Sequence, residues 1–355
     1  MKVFKNNKKF TLCTALCLLS LIVLTAVGVS AGEAASQNDK PKFVNGRLDK
    51  PFTLKVPTMS GFNEIYIGEQ LGFYKEVGLD IEYTGSMTGS LLAQSVINGD
   101  NHLFGTGHIL TIAKAREAGA KIKMVLQGSF DDPEPRKIHM SWLVKDGSPI
   151  KEAKDVIGKK VSIAYVGSCV ELLFSEYLRQ NGIKRDQVEW IVMPDGQAEN
   201  ALKIGEIDVA GIHAVFVQSA LSRGGVHSLV NTWQIGTAAG NGSASSYSAR
   251  AFSEGFIKEN PDIVKAYIAA TVKTQHWINK NYDDAIVIAA KYLKVDIDKA
   301  GGTVFPPEDG IDPAKVAFWI KMMEDNGFVE VGSVTDEVWT NDLNPYLSGE
   351  IKDTL

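Results

Sequence analysis

Residues 52–84 read FTLKVPTMSGFNEIYIGEQLGFYKEVGLDIEYT, and two short apolar runs in them flank a helical one. Residues 54–57 fit a strand. Residues 63–71 carry apolar side chains at helical spacing until Gly72 stops them. In residues 80–84, Ile81 and Tyr83 face one way, as in a second strand. Downstream the pattern repeats. A helix over 90–98 opens on Ser90 and ends at Gly99, and a strand covers 102–105. A helix over 109–118 and a strand over 122–126 complete the series. Such alternation predicts an α/β fold, with a mostly parallel sheet covered by helices on both faces.

The proline-rich turn Asp131-Asp132-Pro133-Glu134-Pro135 precedes a longer strand-like run over 137–145, where the chain is expected to cross into a second lobe. The alternation then restarts. Strands are expected over 160–165, 188–193, 207–212 and 226–230, and helices over 169–180, 198–204 and 215–221. The glycine- and serine-rich residues 236–246 suit a return crossing. The remainder is mainly helical, with Pro261 opening a long helix to about residue 279 and further helices over 283–293 and 313–326. The expected organisation is one lobe from residues 51–139 and 237–355 and a second from 140–236.

Upstream, Lys2, Lys5, Lys8 and Lys9 precede an apolar run that is densest over 16–27, and Val29-Ser30-Ala31 offers small residues for cleavage. Residues 1–31 therefore read as an export signal cut after Ala31, with Ala34-Ala35 as the competing site, and residues 32–50 as a flexible leader. Loss of four lysines from 37 basic residues, against 42 acidic ones, leaves a net charge of −9. An acidic exported chain is a poor nucleic-acid binder. Cys13 and Cys17 fall in the signal, so Cys169 has no partner for an internal disulfide. Six histidines occur, none paired at metal-ligand spacing, and no local nucleophile signature stands out. No catalytic residue, metal or cofactor is expected.

In an open parallel sheet, ligands bind beyond the carboxyl ends of the strands, where helix starts present unpaired amides. Six strand-to-helix loops qualify, at residues 58–63, 85–90, 105–108, 167–169, 194–197 and 213–216. They nominate Thr58, Ser60, Phe62, Asn63, Ser86, Thr88, Gly105, Thr106, His108, Gly167, Ser168, Cys169, Asp195 and His213, with Trp233 nearby. Small residues there let a backbone approach a ligand closely, and hydroxyls bond its polar atoms. No Lys or Arg lies in these loops, which argues against phosphate. Phe62, Phe216, Trp233, Met59 and Met87 suggest an organic body on the ligand.

The run Ile67-Gly68-Glu69-Gln70-Leu71-Gly72-Phe73-Tyr74-Lys75-Glu76-Val77-Gly78-Leu79-Asp80 resembles the opening of the sulfonate/taurine/nitrate type of periplasmic substrate-binding protein, a family that also holds thiamine-precursor binders. Gly158-Lys159-Lys160-Val161 with Gly167-Ser168 resembles its second-lobe opening. Gly205-Glu206-Ile207-Asp208 and Asn260-Pro261 follow in the same order. The resemblance implies a two-lobed periplasmic-binding-protein type II fold with two hinge crossings and a monomer. It also implies capture of a small molecule in the periplasm for an ABC permease with a cytoplasmic ATPase. It marks Ser60, Gly105-Thr106 and Gly167-Ser168-Cys169 as ligand loops. Where the family often carries tryptophan-aspartate, this chain has His213-Ala214, which removes a carboxylate for an amine.

Two other readings use the same scaffold. An enzyme related to thiamine-pyrimidine synthesis would need a cysteine-rich run that this chain lacks. A sensor that presents the loaded form to a receptor would use the same closed surface as a transporter.

Overall fold

The computed structural model describes residues 40–59, 61–87, 90–105 and 107–352. The expected export signal, Ser60, Thr88 and Thr106 lie outside the described residues. Residues from Pro41 onward form one unit.

This unit holds two lobes. In the first, β3 (Phe52–Val56) pairs in parallel with β4 (Leu79–Tyr83). A three-stranded sheet in the order β5-β12-β6 comprises β5 (Leu103–Phe104), β12 (Ala249–Ser253) and β6 (Ile122–Gln127). In the second, five strands run in the order β11-β7-β10-β8-β9. They are β7 (Met140–Lys145), β8 (Lys160–Ile163), β9 (Glu189–Val192), β10 (Val209–His213) and β11 (Val226–Asn231). The mostly parallel expectation meets one reversed strand in each larger sheet, β12 in the first and β7 in the second. Both follow a crossing, so each enters its new sheet against the direction of its neighbours.

The crossings lie side by side. Ser129 and Ser248 exchange hydrogen bonds, each backbone N–H donating to the other's Oγ at 2.7 and 3.0 Å. Asp131, fully buried, accepts from His139 N at 2.9 Å and from Ser245 Oγ at 2.7 Å, tying the two strands of chain together. Burial pushes its carboxyl up to about 6, against the hydrogen bonds that lower it.

Helices start where the sequence supplies caps. Asn63 Oδ1 accepts from Ile65 N (2.9 Å) to open α1 (Glu64–Gln70). α3 (Ser90–Asn98) and α5 (Cys169–Gln180) begin and end as expected. The 20-residue α10 (Pro261–Lys280) runs through the first lobe, packing Tyr267 against Tyr74 and Phe252. Two segments differ from expectation. Residues 43–48, placed in a flexible leader, form an antiparallel pair, β1 (Phe43–Val44) and β2 (Arg47–Leu48). Asn45 and Gly46, both at positive φ, make the turn, and Leu48 is anchored in the core. Residues 236–238, the start of the expected crossing, are instead the end of helix α8 (Thr232–Ala238), capped by Asn231.

Among the described residues, no helix is long and apolar enough to cross a membrane.

Candidate ligand-binding site

A cavity of about 460 Å³ lies between the two lobes. Its first-lobe wall includes Phe62, Asn63, Met87, Leu92, His108 and Ser129, with Arg250 and Phe305. Its second-lobe wall comes from His139 and residues 164–165, 168–169, 194–196 and 213–216. Several helices of nine residues or more start on these walls. Among them are α4 (Ile109–Glu117, capped by His108), α5 (capped by Ser168), α6 (Asp195–Ile204, after Pro194) and α7 (Ala214–Arg223, after His213). Each start offers amides without an intrahelical partner and a partial positive charge.

The polar side chains are few and distinctive. His108 Nδ1 accepts from Leu110 N at 3.2 Å, which puts the ring proton on Nε2. That buried Nε2 has no hydrogen-bond partner among the described residues, and neither have His139 Nε2 and Asp195 Oδ1. Burial, with His213 nearby, lowers the pKa of His108 to about 3, so its ring is neutral. Burial likewise drives His139 well below the usual histidine range, with His213 and His108 adding to it. His213 behaves oppositely. Burial opposes its charge, but the Asp195 carboxylate, 2.5 Å from Nδ1, outweighs burial and raises it. Cys169 Sγ lies 3.5 Å from the other ring nitrogen, Nε2.

Arg250 reaches the cavity from the start of β12. Its fork grips Glu64 through Nε–Oε1 (2.7 Å) and Nη2–Oε2 (2.6 Å), and both residues are almost fully buried. Gln275 Nε2 bridges Glu64 and the Gln127 carbonyl at 3.3 and 2.9 Å. Gly128 permits this placement, because a Cβ there would stand 2.5 Å from Arg250 Cζ.

The NMT1/THI5-like family model matches residues 60–285, well over half of the chain. The chain belongs to the NMT1/THI5-like family. Its fold is that of periplasmic solute-binding proteins. The Escherichia coli aliphatic sulphonate binding protein SsuA superposes with a TM-score of 0.62 at 20% identity, over 79% of this chain and 89% of that one. The nitrate-binding protein NrtA of Synechocystis PCC 6803 gives 0.65 at 12% identity, over 88% and 90%. The desulfurization enzyme DSZB shares the fold as well, at 0.58 and 14% identity, over 84% and 99%.

Within this family member, Phe62, Asn63, His108, Ser168, Cys169, Asp195 and His213 line the cavity, as do Met87 and Phe216. Other nominated residues stand elsewhere. Thr58 is half-buried and its N–H donates to Gly85 O, while Ser86 is exposed. Gly105 packs into the interior of the first lobe. Its carbonyl accepts from Asn63 Nδ2 at 3.0 Å, and a Cβ there would press on Ile65. Gly167, at φ 78, makes the turn into α5, and its N–H donates to Glu171 Oε2 at 2.5 Å. Trp233 lies on α8 over Gly242, and Met59 is buried in the first-lobe core. Asp195 is the first residue of α6 and bonds His213; it caps nothing.

Sequence reasoning missed His139, Arg250 and Phe305. Arg250 also qualifies the expectation of a wall without cations, since it lies on a strand and not in a loop. The run Ala249-Arg250-Ala251-Phe252 carries a strand signal of small and apolar residues, interrupted by the arginine.

Proposed function

We propose that this chain is the extracytoplasmic solute-binding component of an ABC importer, closing two lobes on a small organic molecule in the periplasm. The observation that carries the reading is the cavity itself. It is walled from both lobes, and its volume falls in the range typical of organic-ligand sites. Residues 1–31 supply the export signal on this reading, and the chain acts as a monomer that docks on a membrane permease coupled to a cytoplasmic ATPase.

Phe62, Phe216, Phe305, Met87 and Leu92 give the ligand an apolar surface to lie on. His108 Nε2–H donates to it, Asp195 Oδ1 accepts from it, and the starts of α4 to α7 favour partial negative charge. Arg250 is held by Glu64, so the wall has no uncommitted guanidinium fork for a strong anion. A heterocycle or aryl carboxylate with both donor and acceptor edges suits this lining better than a small inorganic anion. Hydrogen bonds of ~1–3 kcal/mol each, with burial of the apolar body, reach the ~8 kcal/mol of a micromolar site.

Titration calorimetry of the protein against heterocycles, aryl carboxylates, alkyl sulfonates and nitrate tests this. Micromolar binding within the first two classes is expected. Tightest binding to nitrate, or heat from none of the four, overturns it.

A second reading, an enzyme on the same scaffold, draws on the alignment of Cys169, His213 and Asp195, the order of nucleophile, base and orienting acid. It requires turnover of a bound compound that Cys169→Ser abolishes.

A further inference from the structure

We infer that His139, Cys169 and His213 form a metal centre in the second-lobe wall, binding a zinc-type divalent ion whose remaining position opens into the cavity. A ring nitrogen of each histidine and the cysteine sulfur lie within 4.8 Å of one another. Two donors on one tetrahedral zinc ion, at about 2.3 Å for sulfur and about 2.0 Å for nitrogen, stand roughly 3.5 Å apart. Cys169 Sγ and His213 Nε2 are 3.5 Å apart. The third donor lies within 4.8 Å of the other two, so it needs a shift of at most about 1.5 Å, within the reach of side-chain rotation.

The surroundings suit such a centre. His139 directly precedes β7 and His213 ends β10, and these strands pair with His213 opposite Met140. The Ala214 N–H donates to the His139 carbonyl at 2.8 Å, which fixes the two histidines side by side at one end of the two central strands. Cys169 starts α5, so all three donors sit at the ends of regular elements. Asp195 Oδ2, 2.5 Å from His213 Nδ1, orients that ring so that Nε2 faces the sulfur, as a carboxylate does behind many metal-bound imidazoles.

A nucleophile-base pair accounts for Cys169, His213 and Asp195 but leaves His139 without a part. Its ring meets that of His213 at 5.3 Å and its buried Nε2 has no hydrogen-bond partner among the described residues. The metal accounts for all four residues. Two imidazoles and one thiolate leave one tetrahedral position for an exogenous donor. That donor is a ring nitrogen or carboxylate of the cavity's solute. This last step rests on the solute-binding reading, whereas the metal site does not.

The test uses the full-length chain with Co²⁺ and Zn²⁺ alone. Reduced protein is titrated with Co²⁺ and read by absorption. The expected result is one ion per chain, with tetrahedral d–d bands and a thiolate-to-cobalt charge-transfer band. Zn²⁺ should protect Cys169 from alkylation, followed on its own peptide by mass spectrometry so that Cys13 and Cys17 do not interfere. Cys169→Ser should abolish the charge-transfer band, and Asp195→Asn should weaken the ion by ~10–100-fold. The protection assay on the unaltered protein decides the matter if a variant fails to fold. Cobalt bound without the charge-transfer band overturns the inference, and so does alkylation of Cys169 at the same rate with and without Zn²⁺. Rapid alkylation with Cys169-dependent turnover would assign the residues to a nucleophile instead. Metal bound with no organic ligand found would leave this inference standing and sink the importer reading; organic ligands bound without metal would do the reverse.

Discussion

Replacing Glu64 by Gln tests how the first lobe holds a charge at the edge of the cavity. The carboxylate takes two short hydrogen bonds from Arg250, and neither side chain is more than 2% exposed. The amide keeps the size of the side chain but removes the charge and turns one acceptor into a donor that faces the guanidinium. A buried arginine then lacks compensation, which costs about 3–5 kcal/mol. At roughly 1.5–2 °C per kcal/mol for a chain of this size, Tm should fall by about 5–10 °C. Urea unfolding of the wild type, Glu64→Gln, Arg250→Met and the double variant measures it. Both single changes should be strongly destabilising, and the double should cost less than their sum by about 2–3 kcal/mol. A loss below about 1 kcal/mol for Glu64→Gln, or additive costs, would refute the view that this pair is desolvated and mutually dependent.

Other consequences can be checked separately. The folded-state pKa of His108, about 3, lies below the ~6.5 of an unfolded histidine. Its contribution to stability is therefore complete above pH 6.5 and is lost as pH falls toward 3, at up to ~1.4 kcal/mol per pH unit. His108→Gln should flatten the unfolding free energy between pH 6.5 and 5 relative to wild type, and an unchanged slope would contradict this. Gly128→Ala places a methyl group against Arg250 Cζ and Ser248 Oγ, so denaturant unfolding should show a loss of ~1–3 kcal/mol; a neutral result would mean that the crossing shifts freely. Phe62→Ala removes a ring stacked on Phe305 at 6.2 Å, and calorimetry should show solute affinity reduced about tenfold, or ~1.4 kcal/mol.

Much of this fold is legible locally. α5 runs from Cys169 to Gln180 as expected, because its apolar spacing is clear, Ser168 caps it and Gly182 follows it. The cavity loops at 61–63, 168–169, 195 and 213–216 follow from the rule that helix starts converge beyond strand ends, and seven nominated residues meet there. The misses have a common cause. Arg250 is buried in a strand only because Glu64, 186 positions away, neutralises it. His139 becomes part of the wall because β7 enters its sheet reversed beside β10, a pairing that no local pattern announces. The glycines at 105 and 167 read locally as room for a ligand; the fold shows a further need for them, packing against Ile65 and a turn into a helix. Leu48 reads as part of a polar leader until the Asn45-Gly46 turn delivers it to the core.

Native mass spectrometry of the gently purified chain shows whether the cavity between the lobes holds a solute. A small organic molecule should be carried at one copy per chain, released on denaturation and depleted in a folded Ala164→Trp variant whose indole intrudes into the cavity. An organic molecule retained equally by that variant would place binding elsewhere and contradict the account.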